Sequence, residues 1–250
     1  MSGEVVGDRS DAATERLLAL GKGVVVVLVA FLGAVLAASL ADGVLQVANL
    51  GTESLAYRIL VSGAQFLGFG LGVAAYLGVT DDWGLVADRL RAPSTHDAGY
   101  LVAGLLVLLV AATLIGQVLS RLGVDVAQNQ VIAAGRDDPT FFLWMIPVSI
   151  LLVGPFEELV FRGGLQGILR RAWGPVPAVV LASAGFGAVH LFALGGAGSQ
   201  VTYLVVAATL GIVLGTAYEL TENLLVPAGA HGLYNATLFA IQYMTATGTV

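Results

Sequence analysis

The chain has 250 residues, 57% hydrophobic and only 11% charged, against roughly 25% charged in a typical soluble domain. It contains no cysteine, which excludes disulfides, iron–sulfur clusters and thiolate zinc sites. The net charge is −6 and no basic stripe exists, which argues against nucleic acid as a partner.

The charges are bunched and leave long charge-free runs. A span needs about 20 apolar residues, because a helix rises about 1.5 Å per residue across about 30 Å of hydrocarbon. Residues 1–22 are polar and mixed in charge. They read as a cytoplasmic lead and not as a signal peptide, whose charged region is short and net positive. The first three runs are Gly23–Ala41, Ile59–Thr80 and Ala98–Ser120. The loop from Arg121 to Asp138 follows, with a short interfacial helix predicted within Val124–Ala134. A fourth run, Pro139–Phe156, ends where two glutamates begin.

From Ala172 to Tyr218 there is no Asp, Glu, Lys or Arg. That stretch is long enough for two spans, with the turn predicted at the glycine-rich segment 195–200. The last run starts at Asn223. The reading is an all-α polytopic membrane helical bundle of about seven transmembrane helices. Residues 23–250 form a single transmembrane domain with no internal repeat, and its glycines suit close helix packing in lipid.

Orientation follows the basic residues near span ends. Arg9, Arg16, Lys22, Arg89, Arg91, Arg170 and Arg171 fall on the N-terminal side, against Arg58, Arg121 and Arg136 on the other. The expectation is a multi-pass protein of the plasma membrane with a cytoplasmic N-terminus.

Ionisable groups inside spans are expensive, at roughly 2.5–3.5 kcal/mol each at a span centre. Three clusters stand out. Glu157, Glu158 and Arg162 form the first, with Glu158 and Arg162 spaced to share a helix face and pair. The plain alternative is a helix end in the headgroup region. Phe186 and His190 form the second, again one turn apart. His190 lies fifteen residues after Pro175, or roughly 20 Å along its helix. Glu157 lies thirteen residues before Arg170, a similar depth from the same side. The two are therefore expected to meet in a cavity open to the cytoplasmic half. His231 and Asn235 form the third, facing the same way but shallower unless their helix starts deep. A packed polar clamp is the alternative for each histidine. Glu219 and Glu222 read as ordinary turn charges.

No thiol and no pair of intramembrane aspartates is present, and no serine sits in a Gly-x-Ser-x-Gly setting. Water activation by a carboxylate and a histidine is what remains. Glu157 with His190 suits the base, and His231 with Asn235 suits the oxyanion donors. The set Glu157, His190 and His231 could also ligate zinc, although no His-Glu-x-x-His helix occurs.

Glu157-Glu158-x-x-x-Arg162, then Phe186-x-x-x-His190, then His231-x-x-x-Asn235 resembles the motif set of the CPBP family, also called the Abi or CAAX-protease family. The resemblance spans about residues 140–243 and carries the expected catalytic core. It implies an α-helical intramembrane endopeptidase, often of eight spans and generally labelled a metalloprotease. Glu157 and His190 would activate water, Glu158 and Arg162 would support Glu157, and Phe186 would shape the site. His231 and Asn235 would hold the oxyanion. The implied partners are membrane lipid and a peptide or protein substrate at the membrane, prenylated CAAX-like proteins among them. The competing readings are a non-catalytic scaffold or bacteriocin self-immunity protein, and a proton-coupled transporter.

Overall fold

The computed structural model describes residues 4–195 and 197–249. It is an all-α bundle. Helix α1 runs unbroken over Glu4–Val47, joining the polar lead to the first apolar run. The following long helices are α2 (Leu55–Thr80) and α3 (Thr95–Arg121). A short α4 (Gln130–Ala134) precedes α5 (Thr140–Trp173), which is continuous through the glutamate pair. Then come α6 (Pro175–Val189), α7 (Gln200–Thr221) and α8 (Leu225–Ala246).

Six of these helices are long and apolar enough to cross a membrane. The seventh run corresponds to α8, which has spanning length but carries His231, Asn235 and Gln242. Part of the expected turn at 195–200, Gly196, lies outside the described residues. The loop helix is shorter than predicted, because Gln128–Asn129 (β1) pairs antiparallel with Leu194–Gly195 (β2) instead.

Many large hydrophobics of α1–α3 are exposed, as on a lipid-facing surface, while the buried core joins α1, α2, α5 and α6. Small residues let helices touch. A Cβ on Gly72 of α2 would lie 2.7 Å from Ala30 Cα of α1, and one on Gly187 of α6 would lie 2.8 Å from Ala208 Cβ of α7.

The start of α8 is embedded, which resolves the apparent shallowness of His231. Asn223 is fully buried. Its amide donates to the Arg91 carbonyl at 3.1 Å, and Arg91 pairs with buried Asp97 at 2.6 Å and donates to the Thr221 carbonyl. Asp97 also closes a capping box with Ser94. The turns at 81–94 and 222–224 are thus locked together beneath α8.

Candidate active site

The glutamate pair sits in the middle of a 34-residue helix, not at a helix end. Helix α5 is irregular on both sides of it: Ser149–Val153 and Leu159–Gln166 are π-helical. Wider π turns rotate the residues after them and recur at functional sites. Adjacent α-helical residues diverge by about 100°, yet both glutamates reach the same histidine. His231 Nδ1 donates to Glu158 Oε1 at 2.9 Å, and its Nε2 lies 3.9 Å from Glu157 Oε2.

Two glycines make that meeting possible. A Cβ on Gly232 of α8 would lie 2.8 Å from the Ser149 carbonyl oxygen, and one on Gly154 of α5 would lie 2.8 Å from Gly232 N. The backbones of α5 and α8 are therefore in contact beside the site, which carries His231 to the glutamates.

The two acids differ sharply. The Glu158 side chain is 0% exposed, while that of Glu157 is 18% exposed. Glu158 accepts from Arg162 Nε at 2.8 Å, so this pairing joins two fully buried charges. Glu157 lines a cavity of about 590 Å³ together with His190, His231 and Asn235.

His190 is the cap residue at the end of α6, and its Nδ1 donates to the Phe186 carbonyl at 2.7 Å. A carbonyl only accepts, so Nδ1 carries a proton, and in the neutral ring Nε2 is then the atom with the lone pair. Phe186 packs edge-on between the histidines, with centroids 4.6 Å from His190 and 5.7 Å from His231, and Arg162 stands 5.5 Å over its ring. Four motif residues, Glu157, His190, His231 and Asn235, thus line one cavity, and Glu158, Arg162 and Phe186 pack behind the histidines.

The cavity's lining shows which half of the bundle it occupies. From Met145 to Phe161, α5 lines the cavity, mostly on the stretch leading in from the 122–139 loop, and Asn129 and Gln130 come from that loop itself. His190 is only four residues from β2. The cavity lies in the half of the bundle away from the N-terminal-side turns.

Residues 139–237 match the family model described as Type II CAAX prenyl endopeptidase Rce1-like. Over that segment, which is less than half of the chain, the sequence is similar to the Rce1-like family and supports a CAAX-protease kinship. The matched segment holds all seven motif residues. No curated protein and no solved structure matches the chain.

Beyond the Rce1-like motif residues, the cavity is lined by Ser149, Gln65, Tyr203 and Gln242. Ser149 Oγ is buried without a hydrogen-bond partner among the described residues. Tyr203 stands 6.1 Å from His190, ring to ring, and its hydroxyl accepts from Asn129 Nδ2 at 3.3 Å. None of these stood out in the sequence, because single Ser, Gln and Tyr residues near span ends are commonplace.

Glu219 is also more than a turn charge. Arg162 Nη1 reaches Gln166 Oε1 at 3.4 Å. Gln166, fully buried, donates to Glu219 at 2.9 Å and to the Gly215 carbonyl at 3.1 Å. Glu219 pairs with Arg170 at 2.8 Å, and Arg170 with Glu222 at 3.1 Å. The Arg89 guanidinium beside Glu222 holds that carboxyl below the usual carboxylate range. A polar chain therefore runs from His231 to the opposite surface. The Gln166-to-Glu219 spacing spans separate helices, so no local pattern announces it.

A zinc ion held by Glu157, His190 and His231 needs those donors gathered around one point. Among the described residues, no three His, Asp or Glu side chains are so gathered. The placed donors do not meet the requirement, and no step below is routed through a metal.

Proposed function

We propose that this chain is an intramembrane endopeptidase that hydrolyses a peptide bond of a membrane-associated substrate, a prenylated CAAX-like tail being one class. The observation that carries the reading is the shared cavity of Glu157, His190, His231 and Asn235, reached through an Rce1-like motif set.

In this reading a water sits between Glu157 and the bare Nε2 of His190. Glu157 takes one water proton as the oxygen attacks the scissile carbonyl. The carbonyl π pair moves onto oxygen, where Asn235 Nδ2 and protonated His231 Nε2 donate to it. Glu157 then passes its proton to the amide nitrogen, the C–N bond breaks, and carboxylic acid and amine leave. Glu158 keeps the His231 proton on Nδ1 and favours the imidazolium that the oxyanion requires. Arg162 in turn holds Glu158.

A proton-relay transporter is disfavoured by the same polar chain. It passes through Arg162, whose guanidinium stays charged in proteins and does not hand protons on. The experiment is cleavage of a membrane-tethered peptide library by purified protein, with Glu157→Ala and His190→Ala as controls. Loss in both variants is expected. Equal activity in all three proteins overturns the reading.

A further inference from the structure

Tyr203 is tied to a loop on one side and open to the cavity on the other. It is half-buried in the first turn of α7 and lines the cavity with Glu157 and His190. Its hydroxyl lies beside Asn129, and the loop decides which end of that amide it meets. Asn129 Oδ1 accepts from Val131 N at 2.9 Å as the cap of α4. Nδ2 is therefore the atom that faces Tyr203, and it donates to the phenol oxygen at 3.3 Å. A phenol both donates and accepts, and it keeps its proton at neutral pH. With its oxygen accepting from Asn129, the Tyr203 O–H is left without an acceptor among the described residues.

Both sides of this arrangement are fixed before any ligand arrives. Strand β1 pairs Asn129 with Leu194, and Gln130 Nε2 donates to the Leu194 carbonyl at 2.9 Å. Ser199 caps α7 by accepting from Thr202 N at 3.2 Å, and its own N–H donates to the Asp125 carbonyl at 2.7 Å. A donor held in place in this way loses little freedom when it binds.

The neighbours of Tyr203 select what it can touch. Ring contacts join His231 to Phe186, Phe186 to His190 and His190 to Tyr203, at 5.7, 4.6 and 6.1 Å. Tyr203 therefore stands on the His190 side of the cavity, away from His231. An extended peptide advances about 3.3–3.6 Å per residue. One whose scissile carbonyl faces His231 brings a neighbouring carbonyl towards His190 and Tyr203.

We propose that Tyr203 is a substrate-binding residue whose O–H donates to the backbone carbonyl of a peptide unit flanking the scissile bond. The proposal rests on the peptidase reading for the identity of that acceptor. A main-chain contact of this kind sets the register of the substrate without selecting its side chains.

The test is binding of a fluorescein-labelled, farnesylated CAAX-like peptide to the purified full chain. The Glu157→Ala background prevents turnover. Two further peptides each replace one flanking carbonyl by a methylene. Tyr203→Phe keeps the ring and removes the donor. Asn129→Asp keeps the shape but offers a carboxylate that accepts from Tyr203, which withdraws the proton from the cavity. Each variant is expected to bind the parent peptide about tenfold more weakly, the scale of one lost hydrogen bond. The penalty should vanish with one of the two methylene peptides. A purely structural tie between Tyr203 and Asn129 predicts instead that Asn129→Asp binds as tightly as the unsubstituted protein. That result overturns the proposal, as does an unchanged Kd in Tyr203→Phe, an equal penalty with all three peptides, or no binding of any. Cleavage of the parent peptide by the protein with Glu157 intact is followed separately. Binding without cleavage would sink the peptidase reading and leave the Tyr203 contact standing.

Discussion

Glu158 and His231 are joined by a 2.9 Å hydrogen bond across 73 residues of sequence. That bond separates the work of two adjacent glutamates. Glu158 faces inward to Arg162 and to His231 Nδ1, and Glu157 is left to face the cavity.

Breaking the inner pair is expected to unfold the bundle. Removing one member of a buried ion pair strands the other charge, at about 3–5 kcal/mol. Glu158→Ala and Arg162→Ala should each lower the thermal midpoint in detergent markedly. The double variant Glu158→Leu/Arg162→Met should regain much of that stability while remaining inactive. Thermal unfolding and peptide cleavage read the two effects separately.

Glu157 should behave in the opposite way. Its carboxylate is partly exposed and stands 3.9 Å from His231 Nε2. Glu157→Ala is expected to alter stability by no more than about 1 kcal/mol. Its cleavage rate should fall by roughly 10²–10⁴, the range for losing a general base. Equal loss of stability in the Glu157 and Glu158 variants would contradict the division of roles.

Gly154→Ala and Gly232→Ala should both destabilise by about 1–3 kcal/mol, because added carbon forces apart backbones already in contact. Activity should fall further than stability, since the displacement carries His231 away from Glu157. Gly116→Ala is the control. A Cβ there meets nothing within 4 Å, and Ala in a helix is favoured over Gly by about 0.8–1.0 kcal/mol.

Gln166 is a positioning residue for Arg162. Gln166→Leu removes its bond to Glu219 and the support for the guanidinium. If the loosened geometry weakens transition-state contact by about 1.4 kcal/mol, kcat falls about tenfold. KM should stay near the original value, because Gln166 does not line the cavity. Steady-state kinetics on a purified cleavable peptide checks the split.

Exhaustive chelation is expected to leave cleavage intact. The donors are not gathered around one point among the described residues, and the proposed water is held by Glu157 and His190. Elemental analysis of the chelated, active protein should find no stoichiometric metal. Loss of activity restored only by zinc would instead show that the three side chains close around an ion.

The sequence by itself determined the solvent, the helices and the chemical inventory. Charge-free runs about as long as a bilayer is thick have few other uses, and acids or histidines within them are too costly to be incidental. The pairing of Glu158 with Arg162 was legible too, because four residues is one helical turn. Three things were decided only by tertiary structure. His231 bonds Glu158 because Gly154 and Gly232 let two distant helices touch. Gln166 and Glu219 join the network because π turns in α5 aim Gln166 at α7. The cavity lies toward the 122–139 and 194–199 loops because helix packing, not depth along one helix, determines where space is left. Spacing along a chain records which side chains share a helix face. It does not record which faces meet, nor which end of the bundle stays unfilled.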